Sequence, residues 1–325
     1  MKAVVTRQHT ASFLPQIPTN SNKWKGGTPY RVRQEKKSDK STQILSREQI
    51  AQFRNSLKQN ISVQLLQEGY HRSFSEFFSL LQSEQSRIEA ADPSSDLRLQ
   101  TPLEDQPDKL EAMRLHLSHA EQAERIGSWS KVCEQRLLVA QFFSAPEDLW
   151  LRLHFYHSCA DREQGGRSRP ATEARACMAD IYLQQGDLLE ATHQAELCYQ
   201  QAEDGGWLDS TGRPLRLRAQ QTLWEIYTRR ADALLDAAKY KEALKLLHRG
   251  HSIITESEDK QGEGEATYRL GMAYQRSGDH DTAKKFLNTS MQIYDRLQDA
   301  EGLVKAYKVW VTSVERYTQT QTELP

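Results

Sequence analysis

The chain has 325 residues, 38% of them hydrophobic and 27% charged, with 16 glycines, 10 prolines and a net charge of −1. That composition excludes a collagen-like repeat and supplies enough apolar material for two average domains or one elongated array. Apolar runs reach only a few residues, far short of the ~20 that span a bilayer, and Ala3, Val4 and Val5 between Lys2 and Arg7 are too few for a secretory leader. A cytoplasmic protein with no membrane segment is therefore expected. Cys133, Cys159, Cys177 and Cys198 form no CxxC pair, so buried reduced thiols are expected and neither a zinc site nor a disulfide framework is.

Charge divides the chain. Residues 1–45 carry +7, and the remainder carries −8. The first stretch contains Pro15, Pro18, Gly26, Gly27 and Pro29 and has no sustained apolar period, which predicts a disordered basic arm able to lie on a polyanion such as a microtubule surface. No specific nucleic-acid motif accompanies it. From Ser46 the pattern becomes helical, with Ser46 and Gln49 spaced as a capping box ahead of Ile50, Phe53 and Leu57. Ile61, Val63, Leu65 and Leu66 extend or restart that helix as far as Gly69, and Phe74, Phe77, Phe78 and Leu81 mark the next. Residues 92–106, with Pro93 and Pro102, read as a linker. Pro107 suits a first helical turn, after which Leu110, Met113, Leu117, Ala120 and Ala123 recur at spacings of three and four. No segment alternates with period two for long, so the chain is predicted to be all-α.

A further pattern recurs at longer range. Ala179, Gly186, Ala191 and Cys198 are spaced as positions eight, fifteen, twenty and twenty-seven of a helical hairpin. Ala231, Ala243 and Gly250 repeat positions eight, twenty and twenty-seven; Gly271, Gly278, Ala283 and Ser290 repeat all four. Small residues at eight and twenty let two helices cross closely, and a small residue at twenty-seven admits the next hairpin. This arrangement resembles the tetratricopeptide repeat, a ~34-residue hairpin that stacks into an α-solenoid. Ala120, Gly127, Val132 and Val139 form a more degenerate copy upstream. The predicted organisation is a basic arm (1–45), N-terminal helices (46–91), a linker (92–106), degenerate hairpins (107–160), repeats at 171–202, 217–256 and 264–297, and a C-terminal helix (300–318). The second repeat has an extended first helix whose first turn Pro214 suits. On the last helix, Leu303, Tyr307, Trp310, Val311, Val314 and Tyr317 form one stripe. The stripe is expected to pack on residues 264–297 and cap an array that looks cut short; left bare, it would instead be a sticky end.

Three segments are not generic repeat sequence: residues 53–81, 102–110 and 206–217, the last reading GWLDSTGRPLRL. With the repeats they resemble the axonemal tetratricopeptide-repeat proteins of motile cilia and sperm flagella, over about residues 46–318. The resemblance implies a non-enzymatic scaffold for flagellar assembly and beating, with axonemal partners near the inner dynein arms. A soluble adaptor for axonemal dynein or intraflagellar transport is the alternative.

No catalytic constellation or nucleotide-binding glycine motif appears, and no cofactor is expected. The pairs His116/His119, His154/His157 and His248/His251 lack a third ligand, so no metal site is expected. The concave face of such an array is lined by first-helix positions two, five, nine, twelve and thirteen, which here include Glu173, Asp180, Glu225, Asp232, Asp236, Glu265 and Tyr268. Counted over those positions, six carboxylates face one basic residue, so the groove is expected to be acidic and to take a basic or apolar helix or peptide. The lysine and asparagine of a carboxylate clamp are missing; only Arg269, at position six, resembles a clamp residue.

Overall fold

The computed structural model describes residues 55–161, 168–202, 206–257 and 259–322. The basic arm and the expected helix start at Ser46 lie outside the described residues. The described part is all-α, twelve helices and no strand: α1 (Leu57–Gln67), α2 (His71–Ala90), α3 (Pro107–Arg125), α4 (Trp129–Phe142), α5 (Leu149–Asp161), α6 (Arg169–Gln185), α7 (Leu188–Ala202), α8 (Leu215–Asp236), α9 (Tyr240–Glu256), α10 (Lys260–Ser277), α11 (His280–Leu297) and α12 (Ala300–Thr322). α1 starts with a capping box of its own, ten residues after the expected one: the Ser56 hydroxyl accepts from the Gln59 amide at 3.3 Å, and the Ser56 amide donates to Gln59 Oε1 at 3.0 Å. Pro107 occupies the first turn of α3. Residues 92–106 contain only short 3-10 turns, yet they are tied down. Leu103 is buried, and its amide donates to the Glu84 carboxylate at 2.9 Å.

The hairpins α3–α4, α6–α7, α8–α9 and α10–α11 follow the small-residue register. Ala179, Ala191, Ala231, Ala243 and Ala283 are all within 1% of full burial. Gly271 has no room to be larger, because a Cβ there would stand 2.7 Å from Leu287 Cγ. At position twenty-seven, a Cβ on Gly250 would stand 2.7 Å from the Trp224 ring. Position fifteen ends the first helix in the left-handed conformation at Gly127 (φ 71°), Gly186 (φ 83°), Ala238 (φ 58°) and Gly278 (φ 89°). At Gly186 and Gly278 the next amide, Asp187 or Asp279, reaches back to the carbonyl of Tyr182 or Tyr274, closing the helix end.

The core is not uniform. One cluster joins α1 to α6 and includes Phe77, Met113, Phe143, Phe155 and Met178. The later hairpins are held by smaller clusters, rich in alanine and leucine, at each successive crossing.

The C-terminal helix departs from the expected stripe. α12 packs on α11 and α10 through Gly302 and Ala306, both buried, whereas Tyr307 is 56% and Val304 50% exposed. The contact face is rotated because Gly302 rests on Tyr294: a Cβ there would fall 2.5 Å from the ring. The stripe through Tyr307 corresponds to a side that α10 buries: Thr267, forty residues earlier, is 1% exposed and its hydroxyl meets His251 on α9. The side chains of Val314 and Tyr317 are outside the described set.

Candidate partner-binding surface

The first helices of the repeats, α6, α8 and α10, together with α12, line the surface on which the predicted groove residues fall. Glu173 is not on an open groove. It is completely buried, accepting from the Ser210 amide at 2.7 Å and from Arg169 Nη2 at 2.8 Å. The reason is the segment between α7 and α8, which folds back over the start of α6.

The other carboxylates are exposed to different degrees, and each is matched by an arginine. Arg218 on α8 donates Nη2 to Asp180 on α6 at 2.6 Å, and the Thr222 hydroxyl donates to the second Asp180 oxygen at 3.0 Å. Arg269 on α10 reaches Asp232 on α8 at 3.1 Å and Glu265 on its own helix at 2.8 Å. Arg276 reaches Asp236 at 3.3 Å, and Arg229 pairs with Glu225 at 2.6 Å while donating to the Leu183 carbonyl at 3.2 Å. Gln275 continues the cross-links by donating to Thr312 on α12 at 2.8 Å. The expected acid-rich groove is therefore corrected to a charge-matched ladder between consecutive first helices. Tyr268 is half-buried beside Glu265; burial raises its hydroxyl pKa and the adjacent carboxylate adds to the rise.

The five-position count includes Arg276, at position thirteen, but leaves out Arg229 and Arg269, which stand at position six. Glu225/Arg229 and Glu265/Arg269 are the same i, i+4 pair forty residues apart, a signal legible in the sequence. Arg218 gives no such local signal, since its partners come from other elements. Burial opposes its charge, but Cys177 and Asp180 outweigh burial and raise its pKa.

The histidines serve as links between neighbouring helices. His154 contacts Glu76 at 3.0 Å, His157 the Tyr182 hydroxyl at 2.7 Å, His248 the Tyr274 hydroxyl at 2.8 Å and His251 the Thr267 hydroxyl at 3.2 Å. Among the described residues no group of three or more His, Cys, Asp or Glu side chains is placed to hold a metal ion. A deeply buried ion pair lies in the N-terminal part. Arg136 donates Nη1 and Nη2 to the two Glu76 oxygens at 2.8 and 2.7 Å, and Nη1 also to Ser158 at 2.6 Å. Burial pushes the Glu76 pKa up, but Arg136 and His154 outweigh it and hold the carboxyl well below its usual range. This arrangement ties α2, α4 and α5 together, and Glu76, His154 and Ser158 line an open cavity beside it.

Residues 223–296, the span from α8 to α11, match the Tetratricopeptide repeat family. The chain carries tetratricopeptide repeats. It is 39% identical over 269 residues to tetratricopeptide repeat protein 29 of Macaca fascicularis, covering 81% of this chain and 56% of that one. It is 37% identical over 283 residues to the Homo sapiens protein of the same name, covering 86% and 59%. The chain thus spans little more than half the length of these relatives. Among solved structures, BtubC (BKLC) from P. vanneervenii covers 69% of this chain at 17% identity with a TM-score of 0.37, too low a likeness to carry an argument. The ladder shows how the first helices of these repeats are held in step.

Proposed function

We propose that the chain is a non-enzymatic scaffold of the axoneme in motile cilia and flagella, supporting their assembly and beating by holding partner proteins on its repeats. The observation that supports this most is its similarity to tetratricopeptide repeat protein 29 across most of the chain, joined to the axonemal resemblance of residues 53–81, 102–110 and 206–217. Inner dynein arm components fit as partners, and the basic arm offers a microtubule contact. On the ladder side, Glu225, Asp232 and Asp236 are 51%, 54% and 77% exposed. Exposed pairs of this kind contribute only about 0 to 1 kcal/mol each, so a partner's basic groups can replace the arginines at little cost. A basic or apolar helix or peptide across α8, α10 and α12 is the occupant this favours.

Fractionation tests the reading. A scaffold stays with axonemes after detergent and salt extraction, whereas recovery in the soluble fraction would favour the adaptor for dynein or intraflagellar transport. Deleting residues 1–45 should weaken microtubule co-sedimentation in a salt-dependent way; unchanged co-sedimentation would remove the arm from the proposal.

A further inference from the structure

The segment GWLDSTGRPLRL is one of the three that are not generic repeat sequence, and scaffolding by repeats does not by itself require it. Residues 206–214 form a tight hairpin. Leu208 and Pro214 make an antiparallel bridge, the Asp209 amide donates to the Arg213 carbonyl at 2.8 Å, and the Leu215 amide donates to the Trp207 carbonyl at 2.8 Å. Asp209 organises the turn from within. Its Oδ1 accepts from the Thr211 amide at 2.9 Å, the Thr211 hydroxyl at 2.6 Å and the Arg213 amide at 2.9 Å. Its side chain is completely buried, and Oδ2 faces Arg218 Nη1 at 3.4 Å. Burial pushes the Asp209 pKa up, but these hydrogen bonds and Arg218 bring it below the usual carboxylate range.

The hairpin is also fastened to α6. The Ser210 amide donates to Glu173 at 2.7 Å, and Arg169 Nε donates to the Leu208 carbonyl at 2.8 Å. Glu173 and Asp180 stand at positions two and nine, the positions through which repeats of this kind present a concave seat. In the first repeat that seat is filled by the chain itself. Arg218, only 15% exposed, holds a carboxylate from the seat, Asp180, and one from the hairpin, Asp209, at once. Burying the Glu173 and Asp209 carboxylates completely is costly unless each is paired and hydrogen-bonded, and both are: Glu173 by the Ser210 amide and Arg169, Asp209 by Thr211, Arg213 and Arg218. Among the described residues the corresponding surface of the next repeats has no such cover, and its carboxylates are a third to three-quarters exposed.

We infer that residues 206–214 are a tethered pseudo-ligand: they occupy the concave seat of the first repeat with Asp209 in the carboxylate place of Arg218, so an acidic peptide segment of a partner enters there only by displacing them. The site so masked takes an acidic peptide segment that presents its carboxylate from a turn, in contrast to the basic or apolar occupant of α8, α10 and α12. This inference does not depend on where in the cell the scaffold works.

The test uses the full chain with residues 206–213 replaced by an equally long Gly/Ser stretch. The probe is the synthetic peptide Trp-Leu-Asp-Ser-Thr-Gly-Arg, alongside its counterpart with Asn in the Asp209 place. The replaced chain should bind the Asp peptide at least ~10-fold more tightly than the Asn peptide, since losing the charged partner removes a charge-assisted pair, and the intact chain should bind neither at the same concentrations. Equal binding by the intact and replaced chains, or no binding by a replaced chain of native helicity, overturns the inference. Should the replacement fail to fold, Asp209→Asn in the otherwise intact chain supplies a second readout. Amide exchange at Ser210, Thr211 and Arg213 should then accelerate while α10 and α11 stay protected, and the Asp peptide should bind. Unaltered exchange at the three amides, or no peptide binding once they are loosened, overturns it equally.

Discussion

Position fifteen of the hairpins carries glycine in three cases and alanine in the fourth, and the backbone does not adapt to the difference. Ala238 stands at φ 58°, in the region where Gly127, Gly186 and Gly278 stand, and the Lys239 amide still closes the helix end on the Leu234 carbonyl at 2.8 Å. A Cβ in that conformation costs about 1 to 2 kcal/mol, partly offset by the greater freedom glycine has when unfolded. Ala238→Gly should therefore stabilise the chain by about 0.5 to 1 kcal/mol, and Gly186→Ala should destabilise it by about as much. Urea midpoints check both; a lowered midpoint for Ala238→Gly would refute the strain. His248 and His251 act at the same scale. Burial lowers both pKa values below the ordinary 6.5, with Glu263 opposing and His248 assisting at His251. The unfolded chain therefore binds more protons just below 6.5, so stability is full above that pH and declines as pH falls through it. The urea midpoint should be lower at pH 5.5 than at pH 7.5, above the range where carboxylates titrate. The double variant His248→Gln, His251→Gln should lose part of that drop, and an undiminished drop would assign it elsewhere.

At the scale of the element, the sequence makes helix identity and hairpin crossings legible because both depend on local spacing. Ala179, Ala191, Ala243 and Ala283 are where the small-residue register requires them, completely or almost completely buried. What local spacing cannot carry is which face of a helix finds a neighbour. The helical-wheel stripe of α12 runs through Tyr307, but docking is decided by the close approach of Gly302 to Tyr294, and a missing side chain leaves no mark on a hydrophobic wheel. Glu173 is misread for the same reason: its burial comes from Ser210, 37 residues away. Gly302→Ala should consequently cost about 1 to 3 kcal/mol by overpacking on the Tyr294 ring, while Tyr307→Ser should cost no more than about 0.5 kcal/mol at a half-exposed site. The opposite ranking of the two variants in chemical denaturation would restore the Tyr307 stripe as the docking face.

Across the described solenoid, the cores are distributed unevenly, and this sets the order in which it opens. Helices α1 to α6 share one cluster with several buried aromatic and methionine side chains. Beyond α6 the interior is divided among alanine and leucine crossings, and the ladder of exposed arginine pairs adds little to each. In an array whose elements contact chiefly their neighbours, stability is close to a sum of intrinsic and nearest-interface contributions, so a weak end opens without taking the strong end with it. Native-state hydrogen exchange should therefore show α10 to α12 opening at lower free energy than α3 to α6. Gly271→Ala offers a directed probe, because the added Cβ would meet Leu287 Cγ at 2.7 Å in the α10–α11 crossing and should cost about 1 to 3 kcal/mol. Its effect should be confined to faster exchange in α10, α11 and α12, with the amides of α3 to α6 unchanged. Acceleration spread equally over α3 to α12 would mean that the described helices open as one cooperative unit and that the division of the core has no consequence for its dynamics.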